Sequence, residues 1–494
     1  MTSATSAKRV SPWAGLVAVV LGVVVVALDG TIVAAANPRL SAELGATLGD
    51  LQWITNIYLL VMAPSTVLAG RIGDRFGRRR VFLAGVAGFG LASAAAGLAG
   101  SVAMVVVTRS VQGFFGGLIM TNALALLRAT FPPERLPAAV SVFGALAASS
   151  IAAGPVVGGV VVDQLGWRWA FFVNVPVAVF SLLAGLRALP RLSPGRPGRF
   201  DLGGAALLTA GLLALAYGLV RAPSAGWGDA VVLGSLIAAV PIGAAFVLVE
   251  RKARNPIVPL RIFADRSISG GIVLSVATDF AMIALPVFVS LLLQKTDGRT
   301  PIEASLRLAP LGVAAVLGST VSARLLPKAG RRPVIVAGAL ISAVGFALLT
   351  DVEQGSSYLA MAASFAVLGL GLSLVMNSAV QAVLGNAAEQ DAGAAAGVQQ
   401  AAGQIGGLLG ISVLGAVLAT TASARFRDLL LASGLPQQFA EQGAGTVAQG
   451  VAPAGAPAAV ANAAHEAFLS GIHSVMWAGA GLSVLCCAVG FVVR

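Results

Sequence analysis

The sequence predicts an all-α polytopic membrane protein: two six-helix bundles with two helices inserted between them, fourteen transmembrane helices in all. Three observations predict it. Of 494 residues, 57% are hydrophobic and only 11% charged, against roughly 45–50% and 25% in ordinary globular chains, and a soluble protein could not hide that much apolar surface. Apolar runs long enough to cross a hydrocarbon core, about 20 residues each, recur from end to end. A short basic loop bearing a glycine also appears twice, 253 residues apart.

Taken in order, the runs lie near 13–36, 52–69, 81–99, 102–127, 138–162 and 170–190. Two more follow at 202–220 and 230–249, and six at 269–293, 306–326, 333–350, 357–384, 393–419 and 469–493. Charged or Pro/Gly-rich breaks separate them. With the N-terminus inside, the loops after even-numbered spans and the two termini hold 23 of the 32 basic residues. The opposite side holds eight, and Arg109 lies within a span. This is the asymmetry that places basic loops in the cytoplasm, so both termini are expected there. Residues 420–467 do not span; they form a Gly/Pro/Ala/Gln-rich extracytoplasmic loop with room for a short surface helix.

The remaining composition excludes several classes. The net charge of +12 suggests nucleic acid only until its distribution is examined, because the basic residues are spread over loops and form no patch. The first run continues past Asp29 without a small-residue cleavage site, so it reads as a first span and not a signal peptide. Cys486 and Cys487 are adjacent inside an apolar run and build neither a disulfide framework nor a metal site. The two histidines, His465 and His473, flank the last span and give metal-dependent catalysis little to work with. No bound cofactor is expected.

The recurring loop organises the chain. "AGRIGDRFGRRRVFLAG" (69–85) and "SARLLPKAGRRPVIVAG" (322–338) align at Gly77 and Gly330. Arg71/Arg324, Arg75/Lys328, Arg78/Arg331, Arg79/Arg332, Val81/Val334 and Gly85/Gly338 then coincide. Spans 2 and 3 map onto spans 10 and 11. The expected division is therefore 1–201 for the first bundle, 202–249 for the two-helix insertion and 250–494 for the second bundle. Parallel repeats around a midplane site are a transporter plan, with alternating access as the halves rock.

The first copy, "GRIGDRFGRRR", carries an ordered Gly/Asp/Arg set. Gly70, Gly73 and Gly77 allow close approach and a tight turn. Asp74 can accept hydrogen bonds from a neighbouring helix N-terminus or a basic side chain, and Arg75 and Arg78 belong to the same gating set. Such a contact latches one conformation and must break in the other; the competing reading is a solvated loop that only sets topology. Pro327 stands at the aspartate position of the second copy, which cannot latch in this way. This loop resembles the G-x-x-x-D-R-x-G-R-[RK] loop of the major facilitator superfamily, between spans 2 and 3 as here.

Further residues fit that resemblance. Span 4 reads "VVTRSVQGFFGG", and Arg109 inside an apolar helix costs about 2.5–3.5 kcal/mol on insertion scales, so it requires a partner or a watery cavity. Gln112 lies three residues on, on the same face. The resemblance implies that Arg109 is tied to proton coupling; a structural role is the alternative. In span 5, "GALAASSIAAGPVVGG" places Gly154, Pro155, Gly158 and Gly159 as in the glycine-proline element of the superfamily's antiporters. There the proline bends the helix and the glycines permit tight packing. "LDGTIV" in span 1, "WRWAFFVNVP" (167–176), "VERKARNPIVPLRIF" (249–263) and the fourteen spans together resemble the fourteen-spanner drug:proton antiporter branch. Two positions depart from it. Ala34 stands where the branch has Asn, with Asn37 before Pro38, and span 13 offers Gln399, Gln400 and Gln404 in place of an acid. Glu389 and Asp391 lie in the preceding loop.

Two acids, Asp29 and Asp279, fall inside spans, and spans 1 and 9 correspond in the repeat. The offset sets Asp279 opposite Val26, one turn from Asp29, so both are expected to face a central cavity at similar depth. Either can load and unload a proton as that cavity opens to each side, or be held protonated as structure. Asp279, with Gln112, is also the expected reader of a cationic substrate's charge.

The expected function is a proton-coupled secondary antiporter in the bacterial inner membrane, exporting amphipathic drug-like or antibiotic compounds, cationic ones among them. Its partners are those substrates, protons and membrane lipids, with no nucleic acid. A dedicated exporter of one lipid or secondary metabolite is the alternative within transport. A polytopic enzyme lacks a His/Asp or His/Glu cluster in a cytoplasmic loop, and an ATP-driven pump lacks a G-x-x-x-x-G-K-[ST] loop.

Overall fold

The computed structural model describes residues 12–46, 48–190, 201–253, 255–296, 298–350, 357–388, 391–433, 438–443, 446–453 and 455–493. Every regular element among them is a helix. The first bundle comprises α1 (Pro12–Leu44), α2 (Leu48–Phe76), α3 (Arg78–Gly97), α4 (Val102–Thr130), α5 (Leu136–Leu165), α6 (Trp169–Phe172) and α7 (Asn174–Ala188). The inserted pair is α8 (Leu202–Ala225) and α9 (Ala230–Lys252). The second bundle runs from α10 (Arg266–Thr296) through α11 (Pro301–Arg307), α12 (Ala309–Ala329), α13 (Arg331–Thr350) and α14 (Tyr358–Asn386). It ends with α15 (Ala392–Ala432), the short α16 (Gln438–Gly443) and α17 (Ala458–Gly490).

Thirteen of the described segments are long and apolar enough to cross a membrane, α6 and α7 together forming one of them. The remaining expected span coincides with α5, a 30-residue helix with an apolar described stretch at Ala138–Ala147. The break between α6 and α7 follows from "FFVNVP": Pro176 has no N–H to return to the Phe172 carbonyl, so the helix interrupts there. Elsewhere polar side chains close the helix starts. Asp201 accepts from the Gly204 amide at 2.8 Å, and Asp229 accepts from Val231 and Val232 at 3.1 Å each.

The internal duplication is visible in the helix bounds. Displaced by 253 residues, Leu48–Phe76 becomes 301–329, the joined extent of α11 and α12, and Arg78–Gly97 becomes 331–350, the extent of α13. Gly77 and Gly330 both take positive φ, 92° and 80°, a turn that a Cβ would strain.

Within the first bundle α1 packs against α5 and α7, and α2 against α4; in the second, α10 packs against α14 and α15, and α13 against α14 and α17. The halves meet along two seams, α2 with α15 and α5 with α12. The inserted helices are unequal. α8 lies over the α2/α15 seam, where Ala216 and Leu219 pack with Leu60 and Leu408, and Ser412 donates to the Leu219 carbonyl. The Tyr217 ring stands 5.8 Å from Trp53. α9 has only 6% of its apolar stretch buried and faces outward almost entirely.

The 420–467 segment is more helical than a loop. α15 continues to Ala432 and α17 begins at Ala458, so both helices run beyond the apolar windows that define their spans. Their extensions bury one another: Phe426 and Leu430 pack against Val460, Ala464 and Ala467, and Arg425 pairs with Glu466 at 2.7 Å. The expected short surface element is present as α16 and a 3-10 turn at Val447–Gln449.

Candidate functional site

The first bundle encloses an ion pair. Asp29 on α1 and Arg109 on α4 are both fully buried, and Arg109 Nη1 donates to Asp29 Oδ2. Three further groups hold the guanidinium. Its Nε donates to the Ile54 carbonyl at 3.2 Å, Nη1 also reaches Gln112 Oε1 at 3.2 Å, and its Cζ lies 4.2 Å from the centre of the Tyr58 ring. Tyr58 in turn donates its hydroxyl to the Val26 carbonyl at 3.2 Å. The other carboxylate oxygen, Asp29 Oδ1, accepts from Gln112 Nε2 at 3.2 Å and from Asn174 Nδ2 at 2.7 Å. Close helix approach makes the pair possible: a methyl on Gly113 would lie 3.2 Å from the Tyr58 carbonyl carbon, and one on Gly117 would lie 2.7 Å from Ser65 Cβ. Arg109 thus has a buried carboxylate, a backbone carbonyl and an aromatic face in place of water.

Two expectations are corrected here. Asp29 does not share a central cavity with Asp279; it points into its own bundle, because Arg109, Gln112 and Asn174 converge on it from α4 and α7. Gln112 does not stand at a substrate surface. It is fully buried and bridges Arg109 to Asp29, as its place one turn from Arg109 dictates.

Asp279 on α10 is half-buried against α15. Its Oδ2 occupies the space where Gly403 lacks a side chain, and no donor among the described residues reaches it. One turn toward the basic-loop end, Gln399 Nε2 lies 3.5 Å from Ser275 Oγ, and the buried Gln399 Oε1 has no partner. Two acceptors without donors therefore stand on one α10/α15 groove. The glutamines of span 13 divide: Gln399 is buried, while Gln400 and Gln404 are half-buried.

At the basic-loop end, Asp74 meets one of the two kinds of donor expected of it, a basic side chain, while its Oδ2 has no donor among the described residues. Arg78 Nε and Nη2 donate to Asp74 Oδ1 at 3.1 and 3.0 Å. The carboxylate also sits at the first turn of α15, where a methyl on Gly393 would stand within 2.6 Å of both its oxygens. Gly70 abuts the Gly393 carbonyl, and Gly397 abuts Thr66 and Val67. Gly73 instead faces Asn122 within its own bundle. Arg75 is exposed and lies over the Phe76 ring at 5.4 Å. Arg128 donates across the halves to the Ala387 carbonyl, and Arg261 holds Asp391 with Nε and Nη2 at 3.1 and 3.0 Å. These bonds to Asp391 push the Arg261 guanidinium above its ordinary range. This end of the seam is closed.

On α5, a methyl on Gly154 would collide with Thr31 and one on Gly158 would lie 3.0 Å from the Ile32 carbonyl, so the two glycines set the α1/α5 approach. Gly159 is half-buried, and the side chain of Pro155 lies outside the described residues. At the opposite end of the first bundle, Trp167 Nε1 and Arg168 Nη1 donate to Glu43 Oε2 at 2.9 and 2.7 Å. The Trp167 bond first, then that of Arg168, holds the Glu43 carboxyl below its usual range.

Sequence reasoning missed Tyr58, Asn174, Ser93 and the Arg261–Asp391 pair. A signal existed for Asn174, a lone amide in the apolar "FFVNVPVAVF"; none marked the others.

Known proteins resemble the chain along its length. Residues 19–411 match the Major Facilitator Superfamily. A tetracenomycin C resistance and export protein from Streptomyces glaucescens is 40% identical, covering 99% of this chain and 93% of its own. A puromycin resistance protein from Streptomyces alboniger is 36% identical over 84% of each. In fold, the human organic anion transporter MFSD10 superposes with a TM-score of 0.64 at 15% identity, covering 98% of this chain and 99% of that one.

Proposed function

The chain belongs to the major facilitator superfamily, which makes it a transporter and not an enzyme, and we propose that it exports amphipathic drug-like or antibiotic compounds in exchange for protons. The observation that carries the reading is the enclosed Asp29–Arg109 pair. A buried carboxylate compensated by one guanidinium has two stable arrangements: charged and paired, or protonated with the guanidinium released to other partners. Interconversion between them requires a proton and a rearrangement of α1 against α4. Coupling the arrangement to which side of the protein is open yields exchange by alternating access.

The closed basic-loop end belongs to one limb of that cycle, with Asp74 at the α15 N-terminus as its latch. Asp279 receives a cationic group of the substrate, a role supported by its having no donor among the described residues. The site is a bacterial inner membrane with both termini cytoplasmic, as the basic asymmetry of the loops supports. No bound cofactor is required, since the proton gradient supplies the energy.

A second reading, a dedicated exporter of one secondary metabolite, is favoured by the 40% identity to the tetracenomycin C resistance and export protein. A susceptibility panel in cells over-expressing the protein separates broad from single-compound export. The coupling test is ethidium efflux from proteoliposomes with and without an imposed pH gradient. Efflux that ignores the gradient and an added uncoupler would rule out proton exchange.

A further inference from the structure

The "WRWAFFVNVP" turn contributes Trp167 and Arg168 to Glu43, but its asparagine goes elsewhere. Asn174 is the first residue of α7, fully buried, and its two amide hydrogens are both engaged: Nδ2 donates to Asp29 Oδ1 at 2.7 Å and to Ser93 Oγ at 3.1 Å. The Ser93 hydroxyl spends its own proton on the Phe171 carbonyl at 2.8 Å, so in this state its oxygen only accepts. The Asn174 carbonyl oxygen is buried and has no donor among the described residues. A buried amide with both hydrogens bonded and an idle acceptor fits a charged Asp29 and leaves half its capacity unused.

We propose that Asn174 is a positioning residue of the proton site, donating to Asp29 while it is charged and turning its amide over to accept from Asp29 once it is protonated. The exchange keeps the two contacts of Asn174 with Asp29 and Ser93 and reverses their direction. When Asp29 takes a proton from water and releases Arg109, its new O–H needs an acceptor. Rotation of the Asn174 amide by half a turn brings Oδ1 to that position, and the Ser93 hydroxyl swings from the Phe171 carbonyl to the same oxygen. Two bonds given become two bonds received, Nδ2 moves to the place that Oδ1 held, and the Phe171 carbonyl gives up the Ser93 proton. The inference rests on the proton-exchange reading and adds a residue to its site.

The charged and titratable groups set against Asp29 are Arg109 from α4 and Tyr58 from α2. From α3 and α7 come the neutral Ser93 and Asn174, from α4 also the neutral Gln112, and α5 presents Gly154 beside Thr31. The remaining charged side chains of α2, α3, α4, α5 and α7 lie within two turns of a helix end, and α6 has none.

Loss of a donor to a carboxylate favours its protonated form. Asn174→Leu, close in volume and unable to donate, therefore moves the pH dependence of export upward. For one hydrogen bond to a charged group the shift is about one to two pH units. Ser93→Ala leaves Asn174 and Asp29 in place but frees the amide to turn, and shifts the profile in the same direction by less. The experiment measures initial ethidium efflux in proteoliposomes at a fixed pH difference while the absolute pH is stepped. It is run for wild type, Asn174→Leu and Ser93→Ala. Upward displacement in both variants, larger for Asn174→Leu, supports the assignment. If wild type responds to the gradient but the variants only lose rate at an unchanged midpoint, Asn174 is structural and the inference fails alone. If wild type itself ignores the gradient, the inference and the exchange reading fail together. Should Asn174→Leu not insert, an unmoved Ser93→Ala profile is sufficient to overturn the proposal.

Discussion

Gly70→Ala isolates the seam between the halves at a single atom. The added Cβ would meet the Gly393 carbonyl, stand 2.7 Å from its carbon and lie 3.3 Å from the Ala394 nitrogen. All three are backbone atoms in the first turn of α15, so no side chain can swing away, and α2 and α15 must separate. Overpacking of this kind costs about 1–3 kcal/mol. The strain exists only while this end is closed, so it biases the conformational equilibrium toward the open form by about 5–150-fold. Gly73→Ala is the control, because its Cβ meets the Asn122 side chain within the first bundle and burdens both states alike. Spin labels on cysteines at Arg75 and Ala388, both exposed, report the gap in pulsed distance measurements after the native cysteines are replaced. A longer-distance population should grow in Gly70→Ala and not in Gly73→Ala. Identical distributions for Gly70→Ala and wild type would falsify the view that this contact discriminates between states.

Other changes address the remaining groups. Asp29→Asn should insert and bind substrate but lose uphill export, whereas Arg109→Ala strands a buried carboxylate at about 3–5 kcal/mol and should lower yield as well as export; uphill ethidium transport by Asp29→Asn would remove Asp29 as proton carrier. Asp74→Asn should raise the same open population as Gly70→Ala, while Pro327→Ala at the repeat-related position should leave it unchanged; equal effects would assign both loops to topology alone. Asp279→Asn should weaken export of a lipophilic cation and spare a neutral drug of similar size, and equal losses would mean that Asp279 does not read substrate charge. In a protein without its native cysteines, one at Gln449 should react with an impermeant thiol reagent in intact cells and one at Ser3 should not; the reverse pattern overturns the orientation.

Much of this architecture was legible before any coordinates. The 253-residue offset found from two basic loops reproduces the bounds of α11–α13 to the residue, and its anchor glycines share a backbone conformation. The cost of Arg109 in an apolar helix correctly called for a partner, and Asp74 takes the basic side chain that its loop suggested while lying at, but not bonded by, the α15 N-terminus. What could not be read was rotation. A soluble helix betrays its inward face by polarity, but in lipid both faces are apolar, so nothing in "VVVVALDGTIV" says whether Asp29 turns toward its own bundle or toward the other half. For that reason the sequence alone does not pair Arg109 with Asp29, and it sets Gln112 beside a cationic substrate. Helix ends beyond the membrane were equally hidden, since the extensions of α15 and α17, the latter Ala-rich, are helical by propensity and mutual packing and not by an apolar window.

The unequal dressing of the two seams has a consequence for traffic. Along α2/α15 the gap that opens between the halves is roofed by α8, which touches both and is itself backed by α9. Along α5/α12 the described helices that touch both, α11 and α14, belong to the second bundle, and neither inserted helix packs against that line. In the proposed rocking motion, one flank keeps α8 across the parting halves and the other has no inserted helix to span it. Amphipathic molecules dissolve in the membrane long before they meet a pump from the water. In the proposed export cycle such molecules meet a side roofed by an inserted helix, α2/α15, and a side without one, α5/α12.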